Sequence, residues 1–216
     1  EQLKKKTSGF RNTRVVAADP QNLSSFQTAS YDVVTCSFGL STLTEEGARK
    51  ALKEVHRVLK PGGSLVATVW DSLSIEHMSD EIMSAVVGGD AGPAPPRVID
   101  YTSFAAPRKL EEMIEGDGSM SVIQVDHDEF SFQLSGLGHL PDDFAFNVVT
   151  IPIHPNLVQL QESGKKPNAF EDARGAFQKI VDEGDLVHTD EQGRMWAGPN
   201  RFKVVVARRQ YEDTDK

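Results

Sequence analysis

An α/β fold on a mainly parallel sheet is predicted by three observations. A short apolar strand closes at Asp19-Pro20, and a second apolar strand at residues 31–38 lacks polar alternation. A helix then leads through Lys60-Pro61-Gly62-Gly63 into a third strand. Strand, helix, glycine-rich stop and strand form a βαβ unit, which places two strands parallel with a right-handed crossover. The 216 residues suffice for one domain around a single core.

The first strand is expected at residues 14–18, where Val15, Val16 and Ala17 are apolar and Pro20 ends any ladder. A polar connection leads to residues 31–38, read as a strand buried on both faces, as central parallel strands are. Thr44 is placed to cap a helix, and Glu45 and Glu46 suit the positive end of its dipole. Ala48, Ala51, Leu52, Val55, Val58 and Leu59 recur at helical spacing and give one apolar stripe. The next strand is expected at residues 64–70, and a helix of about three turns at 75–87. A Gly/Pro loop covers 88–96; Pro107 opens a helix that Gly116 ends. Strands are expected at 122–132 and 201–209. The long interval between them carries helical patterns at 141–149, 155–163 and 168–183, the last opened by a capping box of Asn168 and Glu171. Residues 133–200 are therefore read as a helical cap inserted within one domain, since so long an interval is no hairpin loop.

A net charge of −9 argues against a nucleic-acid partner, which needs a basic footprint. Lys4-Lys5-Lys6 reads as a solvated helix end. Cys36, the one cysteine, permits no internal disulfide and reads as a buried thiol in a cytoplasmic protein. No apolar run reaches the length of a membrane span, and no secretory signal stands at the N-terminus. The six histidines show no zinc spacing, so no metal site is expected.

The runs Ala18-Asp19-Pro20-Gln21-Asn22-Leu23, Tyr31-Asp32-Val33-Val34 and Glu54-Val55-His56-Arg57-Val58-Leu59-Lys60-Pro61-Gly62-Gly63 resemble class I S-adenosylmethionine (SAM)-dependent methyltransferases. The likeness is to the small-molecule branch typified by ubiquinone/menaquinone-biosynthesis C-methyltransferases, with Leu23 and Phe26 fitting its Leu-x-x-Phe stretch and Tyr31 replacing its usual Phe. It spans about residues 14–70. It implies SAM as cofactor and a small-molecule acceptor. Asp19 would accept a hydrogen bond from the adenine amino group, and Pro20 and Leu23 would wall the ring; a turn-forming aspartate is the plainer alternative. Ser37, Phe38 and Gly39 would border cofactor and substrate, although Phe38 is equally a core residue. Trp70, His154 and Trp196 are the substrate candidates, and Asp71 and His77 the candidates for a catalytic base. Each lone histidine is as readily structural, and Pro61-Gly62-Gly63 is a helix stop.

The resemblance also implies a Rossmann-like sheet in the order 3-2-1-4-5-7-6, of which this chain shows strands 3 to 7. The glycine-rich turn that approaches the cofactor's amino-acid portion, and strands 1 and 2, are missing, and residues 1–10 read as a helix tail. Three outcomes stay open: residues 14–18 pair directly with residues 31–38, a second copy pairs at the exposed sheet edge to give a homodimer, or the segment packs irregularly. The first two are favoured together. SAM binding by this chain is expected to be weak or absent, and the acceptor a neutral or apolar molecule. A non-catalytic, partner-binding scaffold is the alternative; a nicotinamide-dependent dehydrogenase fits the helix end less well.

Overall fold

The computed structural model describes residues 9–10, 12–88, 95–116, 118–135 and 143–211. Strand β1 is Tyr31–Ser37; after a 3-10 turn at Leu40–Thr42, helix α1 spans Glu45–Val58 and strand β2 Leu59–Ser72. Helices α2 (Ser74–Val87) and α3 (Lys109–Glu115) precede β3 (Met120–Gln133). Helices α4 (Phe144–Thr150), α5 (His154–Glu162) and α6 (Ala169–Glu183) lead to β4 (Val187–Thr189) and β5 (Met195–Arg209).

The sheet runs β1-β2-β5-β3, with β4 paired to β5. β1 and β2 are parallel, whereas β5 is antiparallel to β2, β3 and β4. The neighbour order is that of the last four family strands, but the sheet is mixed. β1, β2, β3 and β4 point the same way and β5 alone runs against them; the bonded pairs are mixed because β5 inserts between β2 and β3.

Helix α1 forms for the reasons its sequence states. Thr44 Oγ1 accepts from the Gly47 amide at 3.1 Å. Ala48, Ala51, Leu52, Val55 and Val58 are buried on one face against Leu65, Ala67, Val69, Val205 and Ala207 of the sheet. After Val58 the chain turns directly into β2, where Gly62 takes φ +77. A Cβ at Gly63 would stand 2.9 Å from the Lys60 carbonyl oxygen and 3.1 Å from that of Asp32, so backbone packing requires glycine there.

The strand expected at residues 14–18 does not exist. That stretch forms no ladder among the described residues, and all but Val15 are exposed. Three apolar residues without a ladder partner cannot satisfy their own backbone groups, so water does. Among the described residues, the favoured direct pairing with residues 31–38 is not found, and the segment runs irregularly. β1 is correspondingly a sheet edge, with Val33 55% exposed, and not a strand buried on both faces.

Smaller corrections follow. Residues 107–108 form a turn, and α3 starts at Lys109 after Arg108 at φ 57. Asn168 precedes α6 but its side chain caps nothing. β5 begins at Met195, six residues before the predicted strand, because its first part pairs with β4 and with the end of β3. Residues 1–8 of the expected helix tail, with the lysine run, most of the 88–96 loop and Pro141, lie outside the described residues.

A second core gathers Met78, Ile82, Met83 and Val86 of α2 with Phe146, Val149, Ile153, Leu157, Ala173, Phe177 and Ile180 of the segment between β3 and β5. Asn200, fully buried, pins α2 to the sheet: its Oδ1 accepts from the Ser74 amide at 2.8 Å and hydroxyl at 2.7 Å. Its Nδ2 donates to the carbonyls of Ala197 and Phe130. A buried amide with all these partners fixes where helix and sheet meet.

Candidate functional site

The carboxyl ends of β1 and β2 lie side by side because these strands are parallel. In an open α/β sheet that is where ligands sit. The Phe38 amide donates to the Thr68 carbonyl at 2.9 Å, extending the ladder by one residue. Phe38 itself takes φ 56, a left-handed conformation costly for a bulky side chain. Its ring lies flat on Trp70, centroids 3.9 Å apart and planes 13° from parallel. Phe130, Phe132 and Phe202 close around Trp70 edge-on or tilted, at 5.7, 5.7 and 6.4 Å. The strain at Phe38 is thus offset by an aromatic stack (roughly 0.5–1.5 kcal/mol beyond area burial). Strain of this kind persists where the surroundings over-determine the backbone, as the ring cluster does here.

Beside Trp70 a cavity of about 200 Å³ is lined by Trp70, Leu73, Ile75, Tyr101, Phe132, Val148 and Ile151. Its wall is almost wholly apolar, and Val148 and Ile151 come from the segment between β3 and β5. Two roomier clefts, of about 440 and 410 Å³, share none of these residues and lie around Pro95. The smaller cavity is the better candidate because it alone meets the strand ends.

The loop after Asp19 approaches the same end of the fold. Asp19 Oδ1 accepts from the Gln21 amide at 2.9 Å, and the Asn22 amide donates to the Asp19 carbonyl. The carboxylate therefore shapes a turn. The loop then runs along α1. A Cβ at Gly47 would meet Gln21 Oε1 at 3.0 Å, and Leu23 and Phe26 lie against Glu54 and Arg57 further along. Asp19 and Pro20 accordingly stand toward the N-terminal end of α1, the end reached by the turn Ser37-Phe38-Gly39. Gly39 closes that turn against Cys36, whose Sγ would lie 3.1 Å from an added Cβ. Burial pushes the Cys36 thiol up, against hydrogen bonds from Leu40 and Gly39.

Of the other candidates, Asp71 Oδ2 meets His127 Nδ1 at 2.7 Å, and His77 Nε2 lies 3.3 Å from the Ser72 hydroxyl. His154, exposed, packs its ring against Phe170. Trp196 donates from Nε1 to Asp190 at 3.0 Å beneath the Arg194 guanidinium, within the β4–β5 hairpin. Neither lines the Trp70 cavity. Sequence reasoning missed His127, which sits 56 residues from Asp71, and the three phenylalanines around Trp70. The spacing of Phe130 and Phe132, two apart on one strand, was the available signal. Among the described residues no group of three or more potential metal ligands is close enough to hold an ion, and no helix is long and apolar enough to cross a membrane.

Residues 1–67 match the methyltransferase domain family. That match covers the first 67 of 216 residues, under a third of the chain. It is 46% identical over 63 residues to demethylmenaquinone methyltransferase of Staphylococcus epidermidis, covering 29% of this chain and 25% of that protein. It is 31% identical over 107 residues to a ubiquinone/menaquinone biosynthesis C-methyltransferase of Enterobacter, covering 50% and 35% respectively. The chain thus spans about a quarter to a third of the curated relatives it matches. Among solved structures, a protein of Bacillus halodurans described as a methyltransferase superposes with TM-score 0.51 at 13% identity, covering 96% of this chain and 77% of that one. The YcgJ protein of Bacillus subtilis gives 0.53 at 13% identity, covering 98% and 76%. These two likenesses concern the fold alone.

Proposed function

We propose that this chain is a methyltransferase that transfers the methyl group of SAM to a neutral or apolar small molecule held against Trp70. The supporting observation is the Phe38–Trp70 stack beside an apolar cavity at the carboxyl ends of β1 and β2. The segment 133–200 acts as a cap, because Val148 and Ile151 wall that cavity from above the strand ends. The relatives' names make a quinone ring the acceptor class to test first. Flat aromatic walls suit a flat ring by offset stacking.

The described residues fit the nucleoside side of SAM. The turn from Asp19 to Leu23 and the turn from Ser37 to Gly39 flank the N-terminal end of α1, where backbone amides point outward. Asp19, Pro20 and Leu23 would hold the adenine, and Ser37, Phe38 and Gly39 would border the reacting centre. Bound SAM supplies an electrophilic methyl group on a sulfonium. The chain's contribution is alignment and exclusion of water, by Trp70, Phe132 and Ile151 around the acceptor. Where the acceptor must lose a proton, Asp71 and His127 are the acid–base pair at the end of β2. With the proton on Nδ1 shared with Asp71, Nε2 of His127 is the accepting lone pair. With no glycine-rich turn in these 216 residues for the amino-acid portion, binding of SAM by this chain alone is weak. The exposed edge of β1 is the face through which two copies would pair.

A shift titration of the labelled chain with S-adenosylhomocysteine tests the reading. Signals of residues 19–23 and 37–39 should move together, with a midpoint in the millimolar range (~4 kcal/mol of binding). Transfer of labelled methyl from SAM to a demethylated quinol should fall with Trp70→Ala. No movement in either segment would end the proposal.

A further inference from the structure

The helix α1 carries an ion pair whose reach extends well beyond the helix. Arg57 Nε donates to Glu54 Oε1 at 2.9 Å and one Nη2 hydrogen to Glu54 Oε2 at 2.9 Å. The second Nη2 hydrogen goes to the Leu23 carbonyl at 2.7 Å; Nη1 donates to the Phe26 carbonyl at 3.0 Å and the Thr28 hydroxyl at 3.2 Å. All five guanidinium hydrogens are used. Glu54 Oε2 in turn accepts from the Leu23 amide at 2.6 Å, so the peptide groups on both sides of Leu23 are held. The remaining backbone bonds of this loop are internal, Asn22 to Asp19 and Phe26 to Leu23. The Ser30 hydroxyl donates to the Gln27 carbonyl at 2.6 Å, and among the described residues every hydrogen bond tying residues 22–28 to α1 passes through Glu54 or Arg57.

We infer that Glu54 and Arg57 are positioning residues for the turn that begins at Asp19, setting from α1 where the nucleoside-facing backbone stands. This rests on the reading that the turn borders the cofactor. The physical argument is rigidity. Asp19 Oδ1 and the Asn22–Asp19 bond make residues 19–22 a closed turn, so a shift of Leu23 carries Asp19 and Pro20 with it. A planar fork that bridges a carboxylate, two carbonyls and a hydroxyl has no substitute in lysine, whose single nitrogen has three donors and no plane. The hydrogen bond from Arg57 holds the Glu54 carboxyl below the ordinary carboxylate range although burial opposes it, so the pair is charged at neutral pH. Both side chains touch no catalytic atom, and they act through the loop.

The test uses the labelled chain as it stands, with Arg57→Lys and Glu54→Gln as variants. Arg49→Lys, in an exposed pair with Glu45 on the same helix, is the control. Amide exchange at Leu23 and Phe26 should speed up about tenfold or more in both variants while amides of α1 and β2 keep their protection. The titration midpoint for S-adenosylhomocysteine, read on residues 19–23, should rise at least roughly fivefold, as expected when a binding loop loses pre-organisation. The control should move neither. Unchanged exchange at Leu23 overturns the inference, and so does a loosened loop that binds with the wild-type midpoint, which marks a purely structural clamp. If the wild-type turn shows no response to the ligand, the cofactor reading has failed first and takes this inference with it.

Discussion

Lys203 and Glu111 form an ion pair inside the fold, and removing one partner should cost far more than removing both. Lys203 lies on β5 between Val69 of β2 and His127 of β3, and its Nζ is 2.9 Å from Glu111 Oε2 of α3. The side chains are only 3% and 7% exposed. A lost hydrogen bond to a charged group would account for ~1.5–3 kcal/mol. Lys203→Met also leaves a carboxylate in the core without a cation, so the expected loss is about 3–5 kcal/mol. Replacing both, as Lys203→Met with Glu111→Leu, should bring stability back to within about 1 kcal/mol of wild type or above it. Urea denaturation at pH 7 measures this: with a slope near 2–3 kcal/mol per molar, the single variant's midpoint should fall by roughly 1–2 M. pH adds a second check. Burial pushes the Glu111 carboxyl up, but the Lys203 hydrogen bond, Glu111's own amide and the Lys203 and Arg108 charges outweigh it and leave it lowered. A lowered carboxyl contributes stability above its unfolded value, about 4.3, and loses it as pH falls through the folded value. The gap between wild type and Lys203→Met should therefore narrow in acid. A single variant that loses under about 1 kcal/mol, or a double variant as unstable as the single one, would show that the pair is not desolvated as argued.

Gly63→Ala should destabilise by about 1–3 kcal/mol, since its Cβ would press on the backbone carbonyls of Lys60 and Asp32, which cannot move away as a side-chain end could; a thermal melt within a degree of wild type would contradict the packing. Asp190 accepts from Gln192, Arg194 and Trp196, and these bonds hold its carboxyl well below the usual range although burial opposes them. Its contribution is therefore present above the unfolded value near 3.9 and persists until pH falls through the lower folded value. Trp196 emission should stay constant down through pH 4 in wild type and be red-shifted at neutral pH in Asp190→Ala; an acid transition at pH 4 in wild type would contradict this.

Helix α1 was legible nearly residue by residue because its determinants are local. The cap at Thr44, the first-turn acids and the apolar stripe all lie within one element, and each makes the contact its position implies. Pro61-Gly62-Gly63, read as the helix stop, lies inside β2, since the helix already ends at Val58. The strand at residues 14–18 failed for the converse reason. An apolar run states that a segment can pair, and a ladder also needs a partner within reach. The same gap explains β1, whose run of Val33, Val34 and Cys36 promised burial that its position at the sheet edge does not provide. Capping by Asn168 failed too, since its side chain makes no bond to the α6 amides.

The candidate site divides in the same way. Asp19, Phe38 and Trp70 could be named from a strand end or a resemblance. Their arrangement could not: the flat stack of Phe38 on Trp70, the rings of Phe130 and Phe202, and the wall formed by Val148 and Ile151 join residues far apart in the chain. Glu54 and Arg57 stood in the motif with no visible purpose until Leu23 was found between them. By itself, then, the sequence determined the crossover unit and its helix, because periodicity, caps and glycine stops act over a few residues. Tertiary structure alone decided the antiparallel place of β5, the open edge of β1, the partnerships of Lys203 with Glu111 and His127 with Asp71, and the bonds of Arg57 to residues 23–28. Those depend on which distant groups share a desolvated space, and pairing across such distances leaves no mark on neighbouring residues.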